Sequence, residues 1–431
     1  MNLIRKNSSE LAKVGKSISI TNKLLKEIES RDVVPSDDFR VSIPDLNFQK
    51  YLIEEYNIKL VDGTFAYGQI KGISIIKANG RSIKSLEGVQ YFTALTKLAC
   101  LENQLQSLDV SKNNNLTHLF CNKNQLTTLD VSKNITLIKL RCSNNQIKSL
   151  DVSKNIALTQ LWCSENQLQS LDISKNNNLT YLFCGKNQLT SLDVSNNIIL
   201  TELGCSENQI ESLDVSINIC LTHLVCWENT LTSLDVSKNS ALNQLKCSKN
   251  QLISLDVSKN SDLTYLSCGD NQLKSLDLSK NTALFFLSCT GNQLKVLDVS
   301  KNTTLSFLSC SDNQLTSLDV SKNIVLTQLG CTENKILSLD VSKNTALFFL
   351  GCSYNLLTTL DVSKNTCLTH LGCSKNQLTS FDVSKNIALT LFECFENRLT
   401  TLDLTYNNLL KTVKLYGNPG DWWKELEKEE E

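Results

Sequence analysis

The sequence contains little proline, methionine or histidine, with three Pro, one Met and three His residues among 431. Separate domains joined by linkers would bring more proline, so the scarcity argues against several independent domains. A net excess of charge is also missing, because 43 basic and 44 acidic side chains nearly cancel. Such a chain offers no net field that attracts phosphate, so we expect neither nucleic acid nor a membrane surface as a partner.

Long hydrophobic runs are missing as well. No stretch of about 18 apolar residues occurs, so the sequence predicts no transmembrane helix. The first residues carry positive charge but lack the apolar core of a secretory signal peptide. We therefore expect a cytoplasmic protein, with secretion without a classical signal peptide as the alternative.

Cysteine is abundant, and its spacing is regular. Of the 17 Cys residues, 15 recur every 21 residues, from Cys100 to Cys394. The repeated unit is LTxLxCSxNQLTSLDVSKNxx, and we number its positions 1 to 21 from Leu95. Fifteen full copies follow one another, preceded by a degenerate copy that starts at Ile73 and followed by a half copy that ends at Asn418. This period predicts a solenoid, because one coil buries its apolar face only by stacking on its neighbours.

The positions of the repeat have separate physical interpretations. Positions 4 and 6 are apolar and alternate with the variable positions 3, 5 and 7, which predicts a short strand with one buried face. Position 9 is Asn in all full copies, and we expect it to bond turn backbone of its own coil and of the next coil. Positions 11, 14 and 16 return to the core from the outer side.

The repeat resembles the leucine-rich repeat family, whose LxxLxLxxN core is LxxLxCxxN here. Its length and its NQLTSLDVS motif are similar to internalin-like bacterial leucine-rich repeats. The resemblance implies an α/β leucine-rich-repeat solenoid with a concave parallel β-sheet, an irregular convex side and a helical N-terminal cap. About seventeen coils would give a sheet roughly 75 Å long.

The flanking segments predict caps for both ends of the solenoid. We expect a helical leader over 1–40, an N-terminal cap over 41–72, the solenoid over 73–418, and a C-terminal cap with an acidic tail over 419–431. Within the leader, Ser9 can cap a helix over 10–29. The role of the leader is left open between extra cap, disorder and a partner-recruiting segment behind a linker at 35–38.

Individual residues refine the two caps. Pro44 is expected near the first turn of a cap helix, with Phe48, Leu52 and Ile53 on its apolar face. At the other end, Trp422 and its neighbour Trp423 can cover the last coil, and residues 425–431 are expected to form a solvated acidic tail.

The residue types that could carry chemistry have structural interpretations. Position 6 places one Cys in each coil facing the core, whereas zinc sites need close pairs, so we interpret these thiols as small buried hydrophobes. Position 15 is always Asp, but position 18 is Lys in twelve copies and opposes a calcium ion. We therefore expect Asp to bond backbone amides two residues on. The histidines lie five and seven coils apart, so we expect no enzyme, no metal and no cofactor.

The variable positions carry the functional hypothesis. A first aromatic cluster contains Phe120, Trp162, Tyr181 and Phe183, flanked by His118, Lys139 and Arg141. A second aromatic cluster contains Tyr265, Phe286 and Phe307, beside a row of Ser and then Gly residues. The candidate partner-binding residues are His118, Phe120, Arg141, Trp162, Tyr181, Phe183, His223, Trp227, Tyr265, Phe286, Phe307 and Phe349. Aromatic residues and Arg are common interface anchors, although stacking along the sheet alone is the alternative explanation.

The sequence thus predicts a monomeric, non-enzymatic scaffold that binds a protein or peptide on its concave face. The alternative is an exported or cell-surface leucine-rich-repeat binding protein that acts as an adhesin, effector or carbohydrate binder.

Overall fold

A computed structural model describes residues 34–427, so the helix predicted over 10–29 lies outside the described residues. Seventeen short parallel strands, β3–β19, form one sheet in which each strand pairs with the strand of the next coil. Its edges are the first and the last of these strands. The strands are Ile75–Lys77, Lys97–Ala99, His118–Phe120, Lys139–Arg141, Gln160–Trp162, Tyr181–Phe183, Glu202–Gly204, His223–Val225, Gln244–Lys246, Tyr265–Ser267, Phe286–Ser288, Phe307–Ser309, Gln328–Gly330, Phe349–Gly351, His370–Gly372, Leu391–Glu393 and Thr412–Lys414. This arrangement is the leucine-rich-repeat solenoid that the period predicted.

Each coil buries the apolar positions that the sequence assigned to the core. In the first full copy, Leu98, Cys100, Leu105 and Val110 have no exposed surface, and the same positions are buried in the following coils, apart from the partly buried Leu404 of the last full copy. Three residues of each coil form the strand, and the rest of the coil returns through turns without a helix in the described repeats. The core is therefore one continuous column that runs through the whole solenoid.

The Asn at position 9 joins neighbouring coils, but in the opposite direction to our expectation. The Nδ2 group of Asn124 donates to the carbonyl oxygens of Cys121 and of Cys100 in the preceding coil, both at 3.0 Å. Its Oδ1 accepts from the N–H of Leu105, also in the preceding coil. The predicted bond to the next coil is wrong, because the backbone groups of Cys100 point towards the following coil. Its N–H donates to the carbonyl of Phe120 in that coil. Its own carbonyl also faces forward and needs a donor from the following coil.

A second row of buried asparagines occupies position 19. The Nδ2 group of Asn134 donates to the carbonyl oxygens of Val110 and Asn113 in the preceding coil, at 2.9 and 3.0 Å. From Asn113 to Asn407, the Oδ1 atoms of this row accept no hydrogen bond from the described residues. Two ladders of side-chain amides therefore tie each coil to the one before it.

The Asp residues at position 15 make the expected turns. The N–H of Ser111 donates to Asp109 Oδ1 at 2.8 Å, and the same bond recurs to the last full copy, where Thr405 donates to Asp403. From Asp130 to Asp403, the hydrogen bonds donated by the residue two positions on hold the pKa of the position 15 carboxyl below its ordinary value, with the backbone bond the largest cause in most copies. The turn interpretation of this motif is confirmed.

The N-terminal cap contains strands β1 (Arg40–Ser42) and β2 (Thr64–Ala66), which pair antiparallel, and helices α1 (Leu46–Tyr56) and α2 (Tyr67–Ile70). A turn of 3₁₀-helix at Val89–Tyr91 follows β3.

Asp45 begins α1. Its Oδ1 accepts from the N–H groups of Asn47 and Phe48, and its Oδ2 accepts from Lys84 and Ser85 in the degenerate coil. One carboxylate thus caps the helix and attaches it to the solenoid.

Pro44 lies near the first turn of α1, as expected, directly before the Asp45 cap. Two other expectations about the N-terminal segments are corrected. Ile53 is 38% exposed, and Tyr51 is buried in its place, because the inward face follows a three- and four-residue spacing from Phe48.

The segment predicted as a linker is held against the cap. The carbonyl of Asp37 accepts from the N–H of Gly68, and the Asp37 carboxylate pairs with Lys71. These contacts anchor the segment to the cap, and β1 begins shortly after it, at Arg40. The segment is therefore not a free linker.

The C-terminal end closes the last coil. A 3₁₀-turn, Trp422–Glu425, places Trp422 and Trp423 partly buried against the core, as expected. Glu427 departs from the predicted solvated tail, because its Oε1 accepts from the N–H groups of Leu415 and Tyr416. These donors would otherwise face outward from the sheet edge, so the carboxylate blocks further strand pairing. No helix among residues 34–427 has the length and hydropathy needed to span a bilayer.

Candidate functional site

The variable positions 3 and 5 project from the same face of the sheet. In nearly every strand of the full repeats the middle residue is fully buried and its two neighbours are partly exposed, as in His118, Leu119 and Phe120. This pattern follows from the alternation of side chains along a strand. The predicted site residues at positions 3 and 5 therefore share one surface, the concave face.

Four side chains in consecutive strands form what we call the first stack: Phe120, Arg141, Trp162 and Phe183. They are paired in register from β5 to β8. The guanidinium carbon of Arg141 lies 5.1 Å from the centre of the Phe120 ring and 4.2 Å from the centre of the Trp162 ring. The Trp162 and Phe183 rings are parallel within 6°, with their centres 5.9 Å apart. Tyr181 also stacks on Trp162 at 6.4 Å.

The two ends of the first stack differ. At one end, the Nζ atom of Lys97 lies 5.3 Å from the centre of the Phe120 ring. At the other end, the Phe183 ring occupies the space beside Gly204, where an added Cβ would lie 2.6 Å from Phe183 Cδ1. The absence of a side chain at Gly204 thus allows Phe183 to lean along the sheet.

The second aromatic cluster is packed more tightly. The rings of Tyr265 and Phe286 are 4.0 Å apart and parallel within 2°, and those of Phe286 and Phe307 are 4.3 Å apart. The Nζ atom of Lys246 lies 4.9 Å from the Tyr265 ring. Burial raises the pKa of the Tyr265 hydroxyl.

Small residues line the sheet beside these rings, with Ser hydroxyls paired between coils, as at Ser248 and Ser267. A strip of small side chains therefore runs along the sheet beside the aromatic rings.

The stacking determines which part of each ring meets solvent. Adjacent strands are about 4.8 Å apart, so the parallel rings of the second aromatic cluster, with centres 4.0–4.3 Å apart, stand face to face on the sheet, whereas Phe183 in the first stack leans along it. Their faces contact one another or a cation, and their edges point outward. The concave face thus offers a ridge of ring edges rather than a flat aromatic platform.

Three predicted residues lie outside the two aromatic groups. His223 contacts its neighbour Thr222, and Trp227 at position 7 has Lys249 Nζ 6.0 Å from its ring centre. Phe349 is 39% exposed and is tilted against His370 at 6.4 Å. The structure does not bring these residues together with the first stack.

The histidines share one local arrangement. The Thr117 hydroxyl donates to the Thr96 carbonyl, so its lone pair is available to the Nδ1 atom of His118 at 2.9 Å. A hydroxyl has one proton, so Nδ1 is the protonated atom of the neutral ring and Nε2 is the one left to accept or bind a proton. Burial, followed by the charges of Lys139 and Lys97, lowers the pKa of His118.

Several contacts were missed by sequence reasoning. Lys97 and Lys246 occupy positions 3 and 5 and are absent from the candidate partner-binding residues, although each lies over an aromatic ring. Phe395 and Tyr416 form a third stack at position 7, with ring centres 4.6 Å apart. Extending the repeat register through the half copy would have found this pair.

The thiols are divided between core and surface. All position 6 cysteines are fully buried, and from Cys100 to Cys373 burial raises the pKa of the thiol, to about 12 at Cys268. Cys220 and Cys367, at position 21, are exposed and unpaired. Within residues 34–427, no three or more His, Cys, Asp or Glu side chains are grouped so that they could hold a metal ion.

Comparison with known proteins identifies relatives among solved structures. The chain matches no protein-family model and no curated protein sequence. It is similar to the functional domain of InlJ from Listeria monocytogenes, which includes a cysteine ladder. The identity is 37% and the TM-score 0.80, and the match covers 84% of this chain and 82% of the other.

Two more distant structures show the same fold. A leucine-rich-repeat protein of Leptospira interrogans has 22% identity and a TM-score of 0.59, covering 90% of this chain and 93% of its own. YopM from Yersinia enterocolitica also has 22% identity, with a TM-score of 0.65, covering 93% and 86%.

Proposed function

The chain belongs to the internalin-type leucine-rich-repeat family, and on this basis we propose that it binds a protein or peptide partner through its concave face. One observation carries the proposal. Aromatic and basic side chains occupy partly exposed positions 3 and 5 of consecutive strands, whereas the invariant positions form the core and the turns. A surface that varies on a constant scaffold is suited to selecting one partner.

The first stack and the second aromatic cluster are the proposed centres of contact. Aromatic and Arg side chains supply large contact areas with little loss of rotamer entropy, and here their neighbours already restrict their movement. His118 flanks the first stack, and His223, Trp227 and Phe349 would make separate contacts along the same face.

Ring orientation supports a protein partner over a carbohydrate. Sugars bind aromatic platforms through open ring faces, but in the two aromatic groups most of these faces are covered by neighbouring rings, by Arg141 or by lysines. Ring edges beside hydroxyls and small residues instead suit the mixed polar and apolar surface of a polypeptide.

We also propose a scaffold without catalytic activity. The histidines lie on three separate strands, and all position 6 thiols are buried; from Cys100 to Cys373 burial raises the thiol pKa, which disfavours the reactive thiolate. A monomer in the cytoplasm is our proposal for state and compartment, since the exposed thiols of Cys220 and Cys367 would stay reduced there. Light scattering and cell fractionation test these two points.

Site-specific photo-cross-linking tests the binding surface. Benzoylphenylalanine in place of Phe183 or Phe286 should cross-link one and the same partner in the native cell. The same reagent in place of Lys301, on the outer face, should not. With the reagent at residue 286, the triple change Trp162→Ala, Tyr181→Ala and Phe183→Ala should abolish the product without changing the circular dichroism.

A matched variant controls for the general loss of apolar surface. Ile156, Ile198 and Ile219 are exposed by 60%, 54% and 59% at position 20, outside the concave face. Replacing these three residues by Ala should leave the cross-link unchanged. Equal cross-linking from positions 183 and 301, or a product that survives the aromatic triple change, contradicts the proposal.

A further inference from the structure

Four basic side chains lie together near the N-terminal end of the concave face. Lys97, His118 and Lys139 occupy position 3 of the consecutive strands β4, β5 and β6 and are paired in register. Arg141 is two residues beyond Lys139 in β6, so it projects from the same face. We call these four residues the cationic cluster.

The cationic cluster has no counter-charge on its own surface. Positions 3, 5 and 7 of the first five full copies contain no Asp or Glu. Among residues 34–427, neither Lys97, Lys139 nor Arg141 forms an ion pair.

The acids at the adjacent rim, at position 8, are already engaged. Glu102 pairs with Lys123 at 2.7 Å, and Glu165 pairs with Lys186 at 3.5 Å and accepts from Asn144. The positive charge of the cluster is therefore available to a ligand.

Arg141 is held ready for a planar anion. Its guanidinium is sandwiched between the Phe120 and Trp162 rings, and no described side chain accepts a hydrogen bond from it. The guanidinium carbon lies over a face of each ring, and the Arg141 side chain is still exposed, so its N–H groups remain open to a ligand. This fork matches the two oxygens of a carboxylate, and stacking reduces the rotamer freedom that binding would otherwise remove.

We propose that the cationic cluster binds carboxylate side chains of an acidic peptide segment, with Arg141 as the bidentate donor. This inference rests on the proposed function and names the chemistry of the partner. The cluster spans two strand spacings, about 10 Å, and alternate residues of an extended peptide are about 7 Å apart. A segment with acidic residues at every second position would thus place one carboxylate at Arg141 and the next within reach of Lys97.

Two other anions fit the surface less well. A nucleic acid needs a longer cationic track and open ring faces for its bases, whereas these cations occupy three strands and the rings are stacked. A polyuronate presents its carboxylates on sugar rings, which would also need open aromatic faces.

Fluorescence anisotropy with defined peptides tests the proposal on the full-length protein. The probe is a labelled Glu-Ala-Glu-Ala-Glu-Ala peptide, and the reference is the same peptide with Gln in place of Glu. The Glu peptide should bind at least about tenfold more tightly than the Gln peptide, consistent with hydrogen bonds to charged groups. Arg141→Gln should remove most of this preference.

Two further variants separate a planar contact from charge alone. Arg141→Lys keeps the charge but not the fork, so it should weaken binding of the Glu peptide several-fold. Lys133→Gln removes one positive charge from the exposed outer face, at position 18, and should have no effect. Circular dichroism and thermal unfolding of each variant verify that the fold is retained.

The outcomes that overturn the proposal are equally specific. It is wrong if the Glu and Gln peptides bind alike or neither binds, if Lys133→Gln weakens binding as much as Arg141→Gln, or if polygalacturonate binds more tightly than the Glu peptide. Failure here is distinguishable from failure of the proposed function. If the aromatic triple change abolishes cross-linking to the partner but Arg141→Gln does not, the proposed binding surface stands. The proposal of an acidic peptide segment is then wrong.

Discussion

The ring of Phe183 occupies the space that a side chain at Gly204 would need, with Cδ1 2.6 Å from an added Cβ. Gly204→Ala should therefore displace Phe183 and open the end of the first stack. We expect weaker partner binding and a loss of stability of about 1 kcal/mol or less, because the partly exposed ring can swing towards solvent.

Binding and denaturant titrations of the purified variant measure both effects. Gly372→Ala is the matched control, because its added Cβ would meet only Ser353 Oγ, at 3.4 Å. Unchanged partner binding by Gly204→Ala would show that the position of Phe183 does not matter.

The cysteines should divide into two reactivity classes. Cys220 and Cys367 are exposed, whereas all position 6 thiols are buried, and from Cys100 to Cys373 burial raises their pKa. An aromatic disulfide reagent should therefore label two thiols per native chain quickly, and all 17 after denaturation.

The double variant Cys220→Ser and Cys367→Ser should show no fast labelling at all. Fast labelling of further thiols between pH 7 and 9 would mean that the core opens on the time scale of the reaction, contrary to a continuous buried column.

The two asparagine ladders should differ in their contribution to stability. Asn250 donates to Cys226 and Cys247 and accepts from the N–H of Leu231. Asn260 in the same coil donates to two carbonyls, and its Oδ1 accepts nothing from the described residues.

Both Asn→Ala changes should destabilise the solenoid by about 2–3 kcal/mol, and Asn250→Ala by about 1 kcal/mol more, because it also leaves the Leu231 N–H unpaired. Urea unfolding midpoints of the two variants check this order, and the reverse order would contradict the hydrogen-bond assignment.

Acid should weaken the turns at position 15. The pKa of these Asp carboxyls is lower in the folded chain, because backbone and side-chain groups two residues on donate to them. Their contribution is therefore present above the unfolded pKa, about 3.9, and is lost as the pH falls through the folded value.

A variant with Asp235, Asp256, Asp277 and Asp298 replaced by Asn keeps the acceptor oxygen and cannot titrate. Its melting temperature should fall less than that of the wild type between pH 5 and 3. Replacing Lys238, Lys259, Lys280 and Lys301 by Gln, as a control, should leave the acid dependence in place. Identical acid curves for the Asn variant and the wild type would contradict the assignment.

The sequence by itself determined the repeat, the buried positions and the face on which the variable residues lie. Strict periodicity makes this possible, since position 4 at Leu98 and position 6 at Cys100 predict the same burial in every later coil. The aromatic clusters were also visible, because positions one repeat apart become neighbours once the coils stack.

The tertiary structure decided what periodicity does not encode: the direction and orientation of contacts between coils. Asn124 bonds the preceding coil because the Cys100 carbonyl points forward, and Arg141 is positioned by rings from both adjacent strands. Glu427 is held at the edge of the sheet because the last coil has unpaired N–H groups there. These contacts depend on which atoms face each other across a strand pair, and this geometry exists only after the chain has coiled.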